Sequence, residues 1–171
     1  MIEFIEAPSP NFDARVGVPD ILVLHYTGMK TGPEALDRLR DPNAPRVSSH
    51  YMVEEDGRVF RLVPEERRAW HAGVSYWKGQ RNINGVSIGV EMVNPGHEFG
   101  YRPFPNAQIA AVIELVGDIR SRWQIPDERI VGTPTWRRRA RTTRASCSRG
   151  SGWPSTATAC GSTRRRRRAS R

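Results

Sequence analysis

Residues 1–132 predict an α/β domain: a mixed β-sheet flanked by helices. Three observations lead there: short apolar runs of strand length, helical patterns set between them, and one strong hairpin signal. Residues 133–171 do not share this patterning. All 18 Asp and Glu residues lie in 1–132, against 15 Lys and Arg, a balance of −3. The other 12 basic residues, all arginine, lie in 133–171 with no acid and no Val, Ile, Leu, Met, Phe or Tyr. The net charge of +9 therefore joins two unlike pieces. Such a segment has almost nothing to bury and is expected to be disordered. The chain thus divides into a domain at 1–132, small enough for a single core, and an arginine-rich segment at 133–171.

The elements follow in order. Ile21-Leu22-Val23-Leu24 is a continuous apolar run, expected as a buried central strand that ends at His25-Tyr26-Thr27-Gly28. Thr31 and Glu34 have capping-box spacing ahead of Ala35, Leu36 and Leu39, which predicts a short helix. Ser49 to Glu54 and Arg58 to Leu62 flank Asp56-Gly57, a hairpin signal. Ser87 to Val93 is a second apolar strand, interrupted by one acid, Glu91. Asn106 is expected to cap a long helix whose inward face carries Ile109, Val112, Ile113, Val116, Ile119 and Trp123. Ile125-Pro126 stops that helix, and Arg129 to Gly132 begins a further strand.

Composition narrows the chemistry. Both cysteines, Cys147 and Cys160, lie beyond 132, so the domain can build neither a disulfide framework nor a thiolate metal site. The first residues lack a basic stretch followed by an apolar one, and no apolar run approaches membrane-spanning length. A cytoplasmic location without a membrane partner is the expectation.

Four histidines occur, at His25, His50, His71 and His97. A histidine ending a buried strand can be structural as readily as it can be a ligand or catalyst. Alternation in Ile88-Gly89-Val90-Glu91 puts Gly89 and Glu91 on the face away from Ile88 and Val90. Glu91 is then either an acid on a solvated face or a carboxylate at the floor of a cleft, poised as a general base. His71, in Ala69-Trp70-His71-Ala72-Gly73, suits a ligand-lining loop or the polar edge of a core Trp70.

The segments are more specific together. Leu24-His25-Tyr26-Thr27, Ser48-Ser49-His50-Tyr51, Leu62-Val63-Pro64-Glu65, Ala69 to Ser75 and Ser87 to Glu91 occur in this order. Over roughly residues 18–132 the series resembles the zinc-dependent N-acetylmuramoyl-L-alanine amidases of the AmpD/AmiD type. These are relatives of phage T7 lysozyme and the peptidoglycan recognition proteins. The resemblance implies one zinc ion and hydrolysis of the amide between the muramyl lactyl group and L-alanine. It implies His25 as a metal ligand, Glu91 as the catalytic carboxylate, and His71, Trp70 and Tyr26 along the substrate groove. His50 falls in a recurrent segment whose implied role is structural.

The family draws two further ligands, a histidine and an aspartate ten residues later, from a segment resembling G-H-S-D-x-A-P-x-R-K-x-D-P-G. The lysine two residues before that aspartate supplies a cation. Here Val131-Gly132 opens the segment, but Thr133 stands in place of the histidine, Arg141 of the lysine and Thr143 of the aspartate. The family's C-terminal part is lost as the chain is written. A single missing base after the Gly132 codon accounts for this. Threonine codons begin AC, so in the shifted frame each such codon hides Tyr, His, Asn or Asp, and an arginine codon can hide lysine. With suitable synonymous codons, restoring one C turns Gly132 to Gly150 into G-H-S-D-V-A-P-A-R-K-D-D-P-G-E-L-F-S-W, the missing motif in register. The expected partners are peptidoglycan fragments, bound by a monomer. A non-catalytic muropeptide-binding module is the alternative. The arginine runs attract phosphate non-specifically but lack interleaved aromatics, so no evolved nucleic-acid partner is expected.

Overall fold

The computed structural model describes residues 2–43 and 46–132. The chain runs β1 (Phe4–Glu6), β2 (Phe12–Ala14), β3 (Ile21–Tyr26), α1 (Gly32–Arg40), β4 (Tyr51–Val53), β5 (Val59–Arg61) and β6 (Arg67–Ala69). It continues β7 (Tyr76–Trp77), β8 (Gln80–Arg81), α2 (Ile83–Val86), β9 (Ser87–Met92), α3 (Gly96–Phe99), α4 (Asn106–Arg122) and β10 (Ile130–Gly132). The main sheet has the order β1-β5-β4-β9-β3-β10. Among the described strands of this sheet only the β4–β5 pair is antiparallel; the other neighbours run parallel, so the sheet is mixed as expected. The readings of residues 133–171, including positions 133, 141 and 143, lie outside the described residues.

β3 reads as continuous apolar sequence because strands flank it on both edges and both of its faces are covered. On one face Leu22, Ile88, Val90 and Tyr51 pack against Val112, Leu115 and Ile119 of α4. On the other, Met52, Phe60 and Leu62 meet Ala35 and Leu39 of α1, while Ile21 and Val23 meet Ala72, Trp77 and Ile83. Thr31 caps α1, its hydroxyl accepting the Glu34 N–H at 3.3 Å. The Asp56-Gly57 hairpin forms, with Gly57 at φ +92°, a conformation that favours glycine.

Two expectations for α4 are corrected. Asn106 is its first helical residue rather than its cap: Pro105 occupies the cap position, and its carbonyl receives the Ile109 N–H. The inward stripe is Gln108, Val112, Leu115 and Ile119, with Val116 and Trp123 partly buried beside it. Ile109 and Ile113 are exposed, at 37% and 67%. Gln108 sets this rotation, because its side-chain amide donates to the carbonyls of Val53 and Val93, both at 3.0 Å. A polar residue thereby ties the helix start to the ends of β4 and β9.

Candidate active site

β3 and β9 run parallel in a register that sets His25 opposite Glu91 and Val23 opposite Gly89. In-register neighbours of parallel strands project to the same face, so His25 and Glu91 share one side of the sheet. That is the side covered by α1 and the loop following β6. His25 is buried and Glu91 half-buried.

His71 reaches this face from the loop after β6 and lies over Gly89. A Cβ at Gly89 would stand 2.4 Å from the His71 ring, so the imidazole occupies the space that any other residue would fill. His25 Nε2 and His71 Nδ1 are 3.0 Å apart. On its other side, His71 Nε2 is 3.2 Å from the Ser87 hydroxyl. The backbone N–H groups of His71 and Ala72 both donate to Asn84 Oδ1, at 3.0 and 2.7 Å. His71 is thus buried with both ring nitrogens engaged inside the protein. Burial, together with the neighbouring His25, His50 and Arg15, holds its pKa well below the usual histidine value.

His50 is fully buried beneath this arrangement. Its Nδ1 accepts the Gly89 N–H at 2.9 Å, so the proton sits on Nε2, which donates to the Arg67 carbonyl at 3.1 Å. Burial, reinforced by the Arg15 charge, pushes its pKa down to about 3. Arg15 itself is a half-buried cation surrounded by carbonyls. It donates to Glu65 at 2.9 Å, Arg67 at 2.8 Å, Gly85 at 3.1 Å and Ser87 at 3.0 Å. Burial lowers its pKa to about 10. Its Nη2 lies 2.8 Å from His50 Nε2, but both Nη2 hydrogens go to the Arg67 and Ser87 carbonyls, so this is packing rather than a hydrogen bond.

Tyr26 follows His25 and turns to the opposite face, where it meets the rings of His97 and Tyr101. Trp70 is half-buried, its backbone N–H donating to Ser48 Oγ at 2.9 Å, with the Arg46 guanidinium 5.3 Å from its ring centre. The structure therefore gathers His25, His71 and Glu91 on one face, with Trp70 beside His71 and Tyr26 on the opposite face. A cavity of about 510 Å³ lined by Tyr51, Arg61, Glu65 and Arg122 opens elsewhere. Tyr51 pairs with Val90 and shares its face, so that cavity is not part of the His25 side.

Among the described residues, no three His, Cys, Asp or Glu side chains are grouped so that they could hold a metal ion. The described part of β10 ends with Gly132 opposite Leu24, one register step before His25. Sequence reasoning did not find Arg15, Asn84 or Ser87, which support His71. Gly89 carried a usable signal, because a glycine inside an apolar strand marks close approach by another group.

The fold is shared with known amide hydrolases, and the sequence comparisons specify it further. Residues 15–151 match the N-acetylmuramoyl-L-alanine amidase family, and the chain belongs to that family. It is 39% identical over 123 residues to the N-acetylmuramoyl-L-alanine amidase AmiD of Escherichia coli, covering 65% of this chain and 43% of AmiD. It is 32% identical over 143 residues to the 1,6-anhydro-N-acetylmuramyl-L-alanine amidase AmpD of Haemophilus influenzae, covering 72% of this chain and 76% of AmpD. The chain therefore spans under half the length of the first relative and about three quarters of the second. Among solved structures, a selenomethionine derivative of AmpD superposes with a TM-score of 0.70 at 25% identity, covering 90% of this chain and 91% of that one. E. coli AmiD in complex with anhydro-N-acetylmuramic acid-L-Ala-D-γ-Glu-L-Lys gives 0.63 at 36% identity, covering 74% and 53%. The family and these relatives are amidases and hence hydrolases. No helix among the described residues is long and apolar enough to cross a membrane.

Proposed function

We propose that this domain is built to hydrolyse the amide between the muramyl lactyl group and L-alanine in peptidoglycan fragments, and that the chain as it stands lacks part of the machinery. The observation that carries the reading is the in-register pairing of His25 with Glu91 on one face of the sheet, in a chain of this amidase family. Glu91 is the proton acceptor for the attacking water, a task that suits a half-buried carboxylate at the edge of a closed core. His25 is the domain's own metal ligand, and Trp70 bounds the groove.

Zinc, implied by the family resemblance, would supply an activated water when bound. The described residues do not by themselves fit it, since His25 has no two further donors grouped with it there. Thr133, Arg141 and Thr143 stand where the family motif has histidine, lysine and aspartate, and the one-base shift explains all three. The chain as it stands is expected to hold zinc substoichiometrically and to release little or no peptide. A muropeptide-binding module without turnover is the second reading, favoured by the same three replacements.

The test compares this chain with one whose reading frame is restored after Gly132. Metal content and peptide release from an anhydro-muramyl peptide are measured on both. One bound zinc and turnover in the restored chain alone support the reading. Absence of turnover in the restored chain overturns the amidase assignment, and retained muropeptide binding would then favour the binding module.

A further inference from the structure

Asn84 is followed by Gly85, and no other asparagine in the chain precedes a glycine. A glycine has no side chain to keep its own nitrogen away from the preceding carboxamide, so this pair is the one most open to attack by its own backbone. The Asn84 carboxamide also has a task. Its Oδ1 takes the backbone N–H groups of His71 and Ala72, at 3.0 and 2.7 Å, and so fastens the loop after β6. The residue that clips this loop is therefore also its chemically weakest point.

We propose that Asn84 is a latent deamidation site, held closed by the α2 backbone and by Arg15, and that isoaspartate formed there unfastens the loop carrying His71. The Gly85 nitrogen bonds to Asn84 Cγ, the Cγ–Nδ2 bond breaks, and the Gly85 proton leaves with Nδ2 as ammonia. Water then opens the cyclic imide. Cleavage at Cγ gives aspartate, whereas cleavage at the Asn84 backbone carbonyl gives isoaspartate, whose chain runs on through Cγ. One water enters and one ammonia leaves, with nothing oxidised or reduced.

The folded backbone opposes the first step. Asn84 is half-buried within α2, and the Gly85 N–H donates to the Asn82 carbonyl at 2.9 Å, directed back along the turn rather than at the Asn84 side chain. Arg15 grips the same stretch, donating to the carbonyls of Asn84 at 3.4 Å, Gly85 at 3.1 Å and Ser87 at 3.0 Å. The two N–H donors on Oδ1 act the other way, because they would stabilise the charge that attack places on that oxygen. The carboxamide is thus primed, and only the backbone keeps the nitrogen from it. The two products also differ. Aspartate keeps an oxygen in place of Oδ1, and its charge strengthens both N–H bonds. Isoaspartate adds a carbon to the chain between residues 84 and 85, so the acceptor and the stretch gripped by Arg15 cannot both keep their places.

The experiment incubates the full chain in mildly alkaline buffer, folded and in urea, and follows the tryptic peptide 82–102 by mass spectrometry. Fragment ions locate the converted residue, and chromatography separates the two acid products, with Asn84→Asp as the aspartate standard. In urea Asn84 should convert faster than any other asparagine. In the folded chain it should convert at least about tenfold more slowly, the factor set by a local opening of about 1.4 kcal/mol. Folded Arg15→Gln, which frees the backbone and leaves both donors on Oδ1, should convert faster than the folded wild type. Amide hydrogen exchange at residues 71 and 72 should quicken in the isoaspartate fraction and stay slow in Asn84→Asp. Equal or faster conversion in the folded wild type overturns the proposal, as does a folded Arg15→Gln that converts at the wild-type rate. Unchanged exchange at 71 and 72 in the isoaspartate fraction overturns the loss of the clip. If Arg15→Gln fails to fold, the wild-type rates and the exchange data still decide.

Discussion

At the scale of single residues, Gly89 and His50 make the site's geometry measurable. A methyl at position 89 would meet the Cγ, Cδ2 and Nδ1 atoms of His71 at 2.4–2.7 Å, and a planar ring walled in by neighbours cannot fold away. Gly89→Ala should therefore cost about 1–3 kcal/mol, as overpacking in a closed core does. A lowered urea midpoint with an unchanged slope checks it, and the His25–His71 contact should be lost from spectra of the same variant. His50 ties stability to pH. Its folded pKa of about 3 lies below the unfolded value near 6.5, so the unfolded chain binds the proton more readily. The stabilisation is complete above pH 6.5 and declines as pH falls, by about 1.4 kcal/mol per unit down to the folded pKa. Unfolding free energies measured across this window should show the slope, and a glutamine at position 50 should remove His50's share of it.

At the scale of elements, α4 is held to the sheet at both ends by polar residues rather than by its apolar stripe alone. Gln108 fastens the start. At the finish, buried Glu65 accepts from Arg122 at 2.9 and 3.0 Å, from the Tyr51 hydroxyl at 2.7 Å and from the Trp123 ring N–H. Burial alone would raise the Glu65 pKa, but the hydrogen bonds from Arg122, Trp123 and Tyr51 together outweigh it and leave the pKa lowered. This contribution is present above the unfolded carboxyl value of 4.5 and is lost only as pH falls through the folded pKa, well below where His50 begins to act. Breaking a buried pair by removing one partner costs about 3–5 kcal/mol. Because the Arg122 side chain is 40% exposed and can return to water, Glu65→Ala should cost nearer about 2 kcal/mol. Chemical denaturation at neutral pH checks this value. Loss of the Thr31 cap in Thr31→Ala should cost about 1 kcal/mol, read the same way.

At the scale of the whole molecule, the face that carries His25 and Glu91 is complete on the β9 side. On the other side the described sheet stops at Gly132, one step short of the His25 row. Exchanging Thr133→His, Arg141→Lys and Thr143→Asp together should raise zinc content and peptide release only partly. The three side chains return, but the arginine-rich sequence around them does not. Restoring the whole frame should give one zinc per chain and full turnover. Elemental analysis and peptide release on the three chains side by side test this order. Equal zinc content and turnover in all three would show that the chain needs none of the three residues.

The sequence by itself determined the fold class, the order of the main strands and helices, the Thr31 cap, the Asp56-Gly57 hairpin and the placing of Gly89 and Glu91 on one face of β9. Each is written in local periodicity or turn chemistry, where neighbouring residues carry the whole signal. The two- and three-residue strands were not legible, because Phe4-Ile5-Glu6 or Arg67-Arg68-Ala69 is too short to show a period. Tertiary structure decided the rest. Period 3.6 says that α4 has an inward face, but Gln108 and Leu115 meeting the sheet selected which one, and so exposed Ile109 and Ile113. Alternation says which way His25 points, but only strand pairing could set it beside Glu91. The chain from Ile83 through Ser87 and His71 to His25 joins residues that span positions 25 to 87 of the sequence. No local pattern records such a contact, because its members are adjacent only once β3, β9 and the loop after β6 have packed together.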